Sequence, residues 1–201
     1  MHQFSVCKIV MKFFLLLLFA FTVQADNLAN GLVAAATERL NHFVVYDGSY
    51  QKIAYPMGDV DENKGVCTDV IIRSYRALGI DLQQLVHEDM KAHFADYPQL
   101  WGLKKPDSNI DHRRVPNLET YFRRHGKVLP ITDRPHDYQP GDLVTWRLNG
   151  TNLPHIGIVS DQLASSGNYK IIHNIGLGPQ INDMLFNHKI VGHFKFTTPN
   201  N

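Results

Sequence analysis

The sequence predicts an α+β fold, with helices first and an antiparallel sheet after them. Three observations carry this. Apolar residues recur at three- and four-residue spacing from Leu28 to Leu40, from Val70 to Leu78 and from Leu85 to Phe94. After Gly126 that spacing gives way to short β-branched and aromatic runs, divided by the turn signals Pro140-Gly141, Asn149-Gly150 and Ser165-Ser166-Gly167-Asn168. No break in composition separates the two regions, so residues 26–201 read as a single domain with a core of its own.

The chain opens on a leader. Lys8 and Lys12 flank the start of an apolar run from Phe13 to Val23, broken only by Thr22, and Val23-Gln24-Ala25 fits a small-x-small cleavage site. Residues 1–25 are therefore expected to be an export signal removed before Asp26. The run is shorter than the roughly 20 residues of a membrane span. No cysteine follows the cleavage site to take a lipid. An exported protein, periplasmic or secreted, with no stable membrane anchor is expected; a retained N-terminal anchor is the alternative. Translation starts at Met1 or at Met11.

Asp26 or Asn27 can cap a first helix that runs to about His42. Val44 to Asp59 has loop composition, rich in Tyr, Gly and Pro, and its tyrosines are placed to line a cleft. Gly65 precedes a second helix ended by Gly79. Asp81 caps a third, about Leu82 to Phe94, stopped at Tyr97-Pro98. A long connection, residues 98–116, leads to a short helix from Asn117 to His125, and the stretch 82–125 reads as a helical insert. Four strands follow: Leu143–Trp146, His155–Val159, Tyr169–Asn174 and Lys189–Phe196.

Charge and composition exclude several classes. The formal net charge is +1, so no electrostatic case exists for nucleic acid. The eleven histidines are scattered, without HExxH or CxxC spacing, and no metal or other cofactor is expected. Nothing in the chain asks for an oligomer, and a monomer is expected.

The mature chain keeps one thiol, Cys67, at the start of the second helix. It can form no internal disulfide. A helix N-terminus favours the thiolate, the nucleophilic form; the other reading of Cys67 is a small buried hydrophobe. Thiol catalysis needs a base and a group to orient that base. His155 opens a strand. By alternation His173 shares a face with Tyr169 and Ile171, while Asn174 faces the other way. Either can orient His155, and His155 itself can instead be a structural histidine.

Cys67 heading a helix, Pro140-Gly141-Asp142-Leu143-Val144, then His155-Ile156-Gly157-Ile158-Val159, then Ile172-His173-Asn174: this order resembles the NlpC-type and CHAP cell-wall hydrolases, a bacterial branch of the papain-like cysteine peptidases. The resemblance covers residues 55–175, apart from the helical insert. The whole chain, with Gly65-Val66-Cys67-Thr68-Asp69 and His112-Arg113-Arg114, is further identified with an exported bacterial family classed as a domain of unknown function. The resemblance implies a papain-like fold with the Cys-bearing helix packed on the sheet. It implies Cys67 as nucleophile, His155 as general base and His173 as its orienting partner. It also implies an amide bond in a cell-wall peptide as substrate. One departure stands out: Val66 occupies the place where those peptidases carry an Asp that binds the free amine of a stem peptide.

Substrate contacts are expected from Tyr55 and from the 101–114 segment, through Trp101, His112, Arg113 and Arg114. The Arg pair is either a bidentate clamp on a substrate carboxylate or a pair of solvated loop charges. Asp142 and Asp161 read as turn or strand-end residues. Beside the thiol hydrolase stand two other functions, a non-catalytic peptide- or glycan-binding protein and a metal-dependent hydrolase.

Overall fold

The computed structural model describes residues 27–197. The expected export signal and the two candidate start codons lie outside them. The first helix, α1, spans residues 27–38 and ends in a 3-10 turn at Arg39–Asn41. Two short strands, β1 (Val45–Tyr46) and β2 (Lys64–Gly65), pair in parallel and bring the intervening loop back to the next helix. That helix is α2, Cys67–Ala77, closed by Gly79 at φ 77°, a backbone that suits glycine. α3 is Leu82–His93, and the Asp81 side chain accepts from Gln83 N at 3.0 Å to cap it. α4, Val115–His125, starts two residues earlier than expected because Pro116 suits a first helical turn.

A six-stranded antiparallel sheet fills the C-terminal half. β3 is Lys127–Val128, β4 Leu143–Arg147, β5 Pro154–Leu163, β6 Tyr169–Asn174, β7 Pro179–Asn182 and β8 Lys189–Lys195. Their order is β3-β8-β4-β5-β6-β7. The four expected strands all form, and β3 and β7 extend the sheet at its two edges. Both edge strands are short, with little apolar pattern to announce them.

Alternation gives the sheet two apolar faces. Leu143, Ile156, Ile158, Ile172 and Phe194 pack with Cys67, Val70 and Ile71 of α2, Val86 and Met90 of α3, and Leu118 and Phe122 of α4. Helices α3 and α4 thus share one core with α2. On the other face Val144, Trp146, Val159 and Ile171 pack against Tyr138, Met184 and Leu185 from connecting loops. Gly157 is required where β5 meets β6: a Cβ there would lie 2.5 Å from Ile171 Cγ2. Among the described residues no helix is long and apolar enough to cross a membrane.

Candidate active site

The start of α2 is built to hold Cys67 still. Val66 N donates to Asp69 Oδ2 at 2.6 Å, closing the first turn back on itself. Arg113 grips the same carboxylate through Nε and Nη2, both at 2.9 Å. Its remaining donors reach the Ser49 and Asp47 carbonyls. Thr68 Oγ1 donates to the Arg113 carbonyl at 3.0 Å, which ties the 3-10 turn Asp111–Arg113 to the helix. Arg113 is therefore an internal clamp. Its fork is filled by Asp69, and it has no free face for a substrate carboxylate.

The thiol meets the sheet where the sheet parts. β5 and β6 pair through Ile158 and Ile172, but their pairing does not continue to His155. Beyond that point the Ile156 N–H turns to the Cys67 sulfur, joined by N–H groups of Thr68 and Cys67 at the helix start. On the opposite side of the parting strands, His155 Nε2 meets His173 Nδ1 at 2.9 Å, and His173 Nε2 meets Asn182 Oδ1 at 3.0 Å. All three are polar groups that strand alternation aims away from α2. Asn174 faces the helix instead, donating to the Gly65 carbonyl at 3.5 Å. Of the two candidates for the partner of His155, the structure brings His173 into contact.

The protonation pattern follows from the acceptors. Asn182 Oδ1 only accepts, so His173 Nε2 carries a hydrogen and, in the neutral ring, Nδ1 does not. His155 Nε2 must then donate to His173 Nδ1, which leaves His155 Nδ1 with a bare lone pair. Burial holds His155 down to about 3, helped by His173 and His188 nearby, and lowers His173 as well. Burial also pushes the Cys67 thiol up to about 12 against the pull of its N–H neighbours. The expected resting thiolate is thus corrected. Desolvation outweighs the helix terminus, and thiol and imidazole are both neutral at rest. Cys67 and His155 make no hydrogen bond to each other.

One group beside the thiol was not singled out by sequence reasoning. The hydroxyl of Tyr46, on β1, lies against the sulfur, and burial with Cys67 and Asp69 beside it pushes that phenol up to about 12. The Tyr-rich composition of Val44–Asp59 was the available signal. Asn182 left none, because β7 has no pattern that marks it.

The other expected contact residues lie elsewhere. Tyr55 packs edge-on against His87 of α3, with ring centroids 5.1 Å apart. His112 is buried and held down to about 3, by burial first and then by Arg113 and Arg76. Its Nδ1 reaches no partner. Trp101 is half-exposed and stacks on the Arg114 guanidinium at 4.1 Å. Asp142 is also more than a turn residue. It is 1% exposed, and its carboxylate meets His193 Nε2 at 2.9 Å and Gln139 N at 2.8 Å. Among the described residues no three His, Cys, Asp or Glu side chains form a metal-ion cluster.

No solved structure matches the chain. The uncharacterized protein YijF of Escherichia coli strain K12 is 53% identical over 175 residues, covering 87% of this chain and 84% of that protein. The model of a domain of unknown function, DUF1287, matches residues 33–196, a span that holds Cys67, Tyr46, His155, His173 and Asn182. On that match and that identity, the chain belongs to the DUF1287 family.

Proposed function

We propose that this protein is an exported thiol-dependent amide hydrolase of papain-like type, acting on peptides of the cell wall. The observation that carries the reading is the ordered chain Asn182–His173–His155, whose last member directly precedes Ile156, the residue whose N–H touches the only thiol of the described residues. A thiol at a helix start and a base of fixed tautomer are the two groups that acyl transfer through sulfur requires.

Because both groups rest neutral, the proton moves as the bond forms. Cys67 Sγ attacks the amide carbon while its proton passes through an intervening water to His155 Nδ1, and the carbonyl π pair moves onto oxygen. The imidazolium so formed is stabilised through Nε2 by His173, which Asn182 holds in register. The Cys67 N–H and the Tyr46 hydroxyl, both in contact with the sulfur, are donors for the oxyanion. His155 then gives its proton to the leaving amine as the C–N bond breaks. Water, deprotonated by the same nitrogen, adds to the thioester carbon; the C–S bond breaks, the acid leaves, and His155 returns the proton to the Cys67 sulfur.

The test is digestion of purified cell wall by wild-type and Cys67→Ala protein, each with and without chelator. Release of peptide fragments that disappears with Cys67 supports the reading. Binding without release by both proteins would make this a binding protein, and release that survives Cys67→Ala but fails with chelator would make it a metal hydrolase.

A further inference from the structure

The Cys67 side chain is closed off from water. The residue is 4% exposed and shares one buried cluster with Val70, Ile71 and Ile156. The polar neighbours of its sulfur come from three places. They are the Thr68 and Cys67 N–H groups at the helix start, the Ile156 N–H of β5 and the Tyr46 hydroxyl of β1. Thr68 and Ile156 are fully buried, whereas Tyr46 is 45% exposed. A carbonyl carbon must come into close contact with the sulfur before it can be attacked. Of the groups around the thiol, only Tyr46 stands between it and solvent, so the way in passes that ring.

Little holds the ring in place. β1 is two residues long, and both of its side chains are exposed. Its backbone is tied more firmly. Val45 N donates to the Asn63 carbonyl at 2.7 Å, and Asp47 N donates to the Gly65 carbonyl at 3.3 Å. Val44 is buried on one side of Tyr46, and on the other Arg113 donates to the Asp47 and Ser49 carbonyls. With the backbone fixed at both ends, the part free to move is the Tyr46 side chain, and side chains at the surface change rotamer far faster than enzymes turn over. We infer that Tyr46 is the gate of the thiol site. Its ring swings outward to admit the scissile peptide and returns so that its hydroxyl faces the oxyanion.

The gate rests on the thiol-hydrolase reading for its purpose, but its test needs no substrate, so the two can fail separately. The mature protein, in which Cys67 is the one cysteine, is labelled at a single pH with iodoacetamide and, in a separate sample, with fluorescein maleimide. A change in thiol ionisation alters both rates alike, and so does passage through the unfolded chain. A steric gate acts more on the bulky reagent, so the ratio of the two rates reads the gate. Tyr46→Ala should speed maleimide labelling about tenfold or more, as expected for a gate that is open about a tenth of the time or less, and should speed iodoacetamide labelling by less. Tyr46→Phe keeps the ring but loses its hold on the sulfur, and its ratio should fall between those of the wild type and Tyr46→Ala. Urea unfolding of each variant is followed in parallel to show that it is folded under the labelling conditions. Equal acceleration of both reagents in folded Tyr46→Ala overturns the gate, as does no acceleration of either. A shifted ratio together with failure to digest cell wall would keep the gate and remove the hydrolase.

Discussion

At the scale of single residues, the electrostatics of the thiol site lead to a definite kinetic signature. A thiol held up to about 12 and an imidazole held down to about 3 do not make a preformed ion pair. Alkylation of Cys67 in the folded protein by iodoacetamide should therefore be slow at neutral pH and climb steadily as pH rises, with rapid reaction at any of these pH values once urea unfolds the chain. A rate plateau already reached near pH 6 would show a resting thiolate and refute the neutral pair. Substrate turnover should lose about 10²–10⁴-fold on His155→Ala, the usual worth of a positioned general base. His173→Ala and Asn182→Ala should cost less, because each removes orientation and leaves the proton acceptor in place. For these two variants kcat should fall with KM little changed, and the pH profile of kcat should move, which a purely structural role would not produce.

At the scale of elements, the start of α2 depends on an ion pair contributed from another part of the chain. Asp69 closes the first turn, yet its carboxylate is 3% exposed and meets Arg113 from 44 residues away. Removing one partner of such a pair leaves a buried charge, at a cost of about 3–5 kcal/mol. Arg113→Ala should lower unfolding stability in urea by that order and fray the turn that carries Cys67. Arg113→Lys should recover only part of it, since one ammonium cannot fill both carboxylate oxygens along with the Ser49 and Asp47 carbonyls. An Arg113→Met, Asp69→Leu double variant should be more stable than Arg113→Ala alone. If the double variant is the least stable of the three, the pair is not what holds the turn. The sequence had offered Arg113 and Arg114 as twins. Structure divides them: one is sealed inside against α2, and the other lies over Trp101.

At the scale of the whole molecule, buried histidines set the pH range of stability. His155 and His112 are both held to about 3, against an unfolded value near 6.5. Between those limits the unfolded chain binds protons that the native chain refuses. Their contribution is therefore complete above about pH 6.5 and lost as pH falls. Asp111 acts in the opposite sense. Burial raises it to about 6, so the native state takes up its proton first, and its contribution is lost as pH rises from about 4 to 6. Two imidazoles outweigh one carboxyl, so stability should decline from pH 6.5 downwards, at up to about 1.4 kcal/mol per pH unit for each coupled proton. Urea unfolding along a pH series measures it. His112→Gln should make the decline shallower, and Asp111→Asn should make it steeper. A stability curve flat between pH 7 and 5 would contradict this account.

The sequence by itself determined the α+β class, the four α-helices described, the four principal strands and the helix start that holds Cys67. These are written in contiguous residues: apolar period, Asp81 before a helix, Gly79 after one, Asn149-Gly150 between strands. It also marked His155 and His173 as the histidines to watch, because both stand at strand positions after a Pro-Gly-Asp turn. Only the tertiary structure decided which partners those residues meet. Asn182 reaches His173 because an edge strand without apolar pattern happens to pair beside β6. Tyr46 reaches the sulfur because β1 pairs with the strand just before α2. Asp142 was read as a turn residue, but it finds His193 from 51 residues away. Each such contact depends on how separate elements are brought together and on what becomes desolvated between them. Neither leaves a local trace in the chain, and the same desolvation reversed the expected ionisation of Cys67.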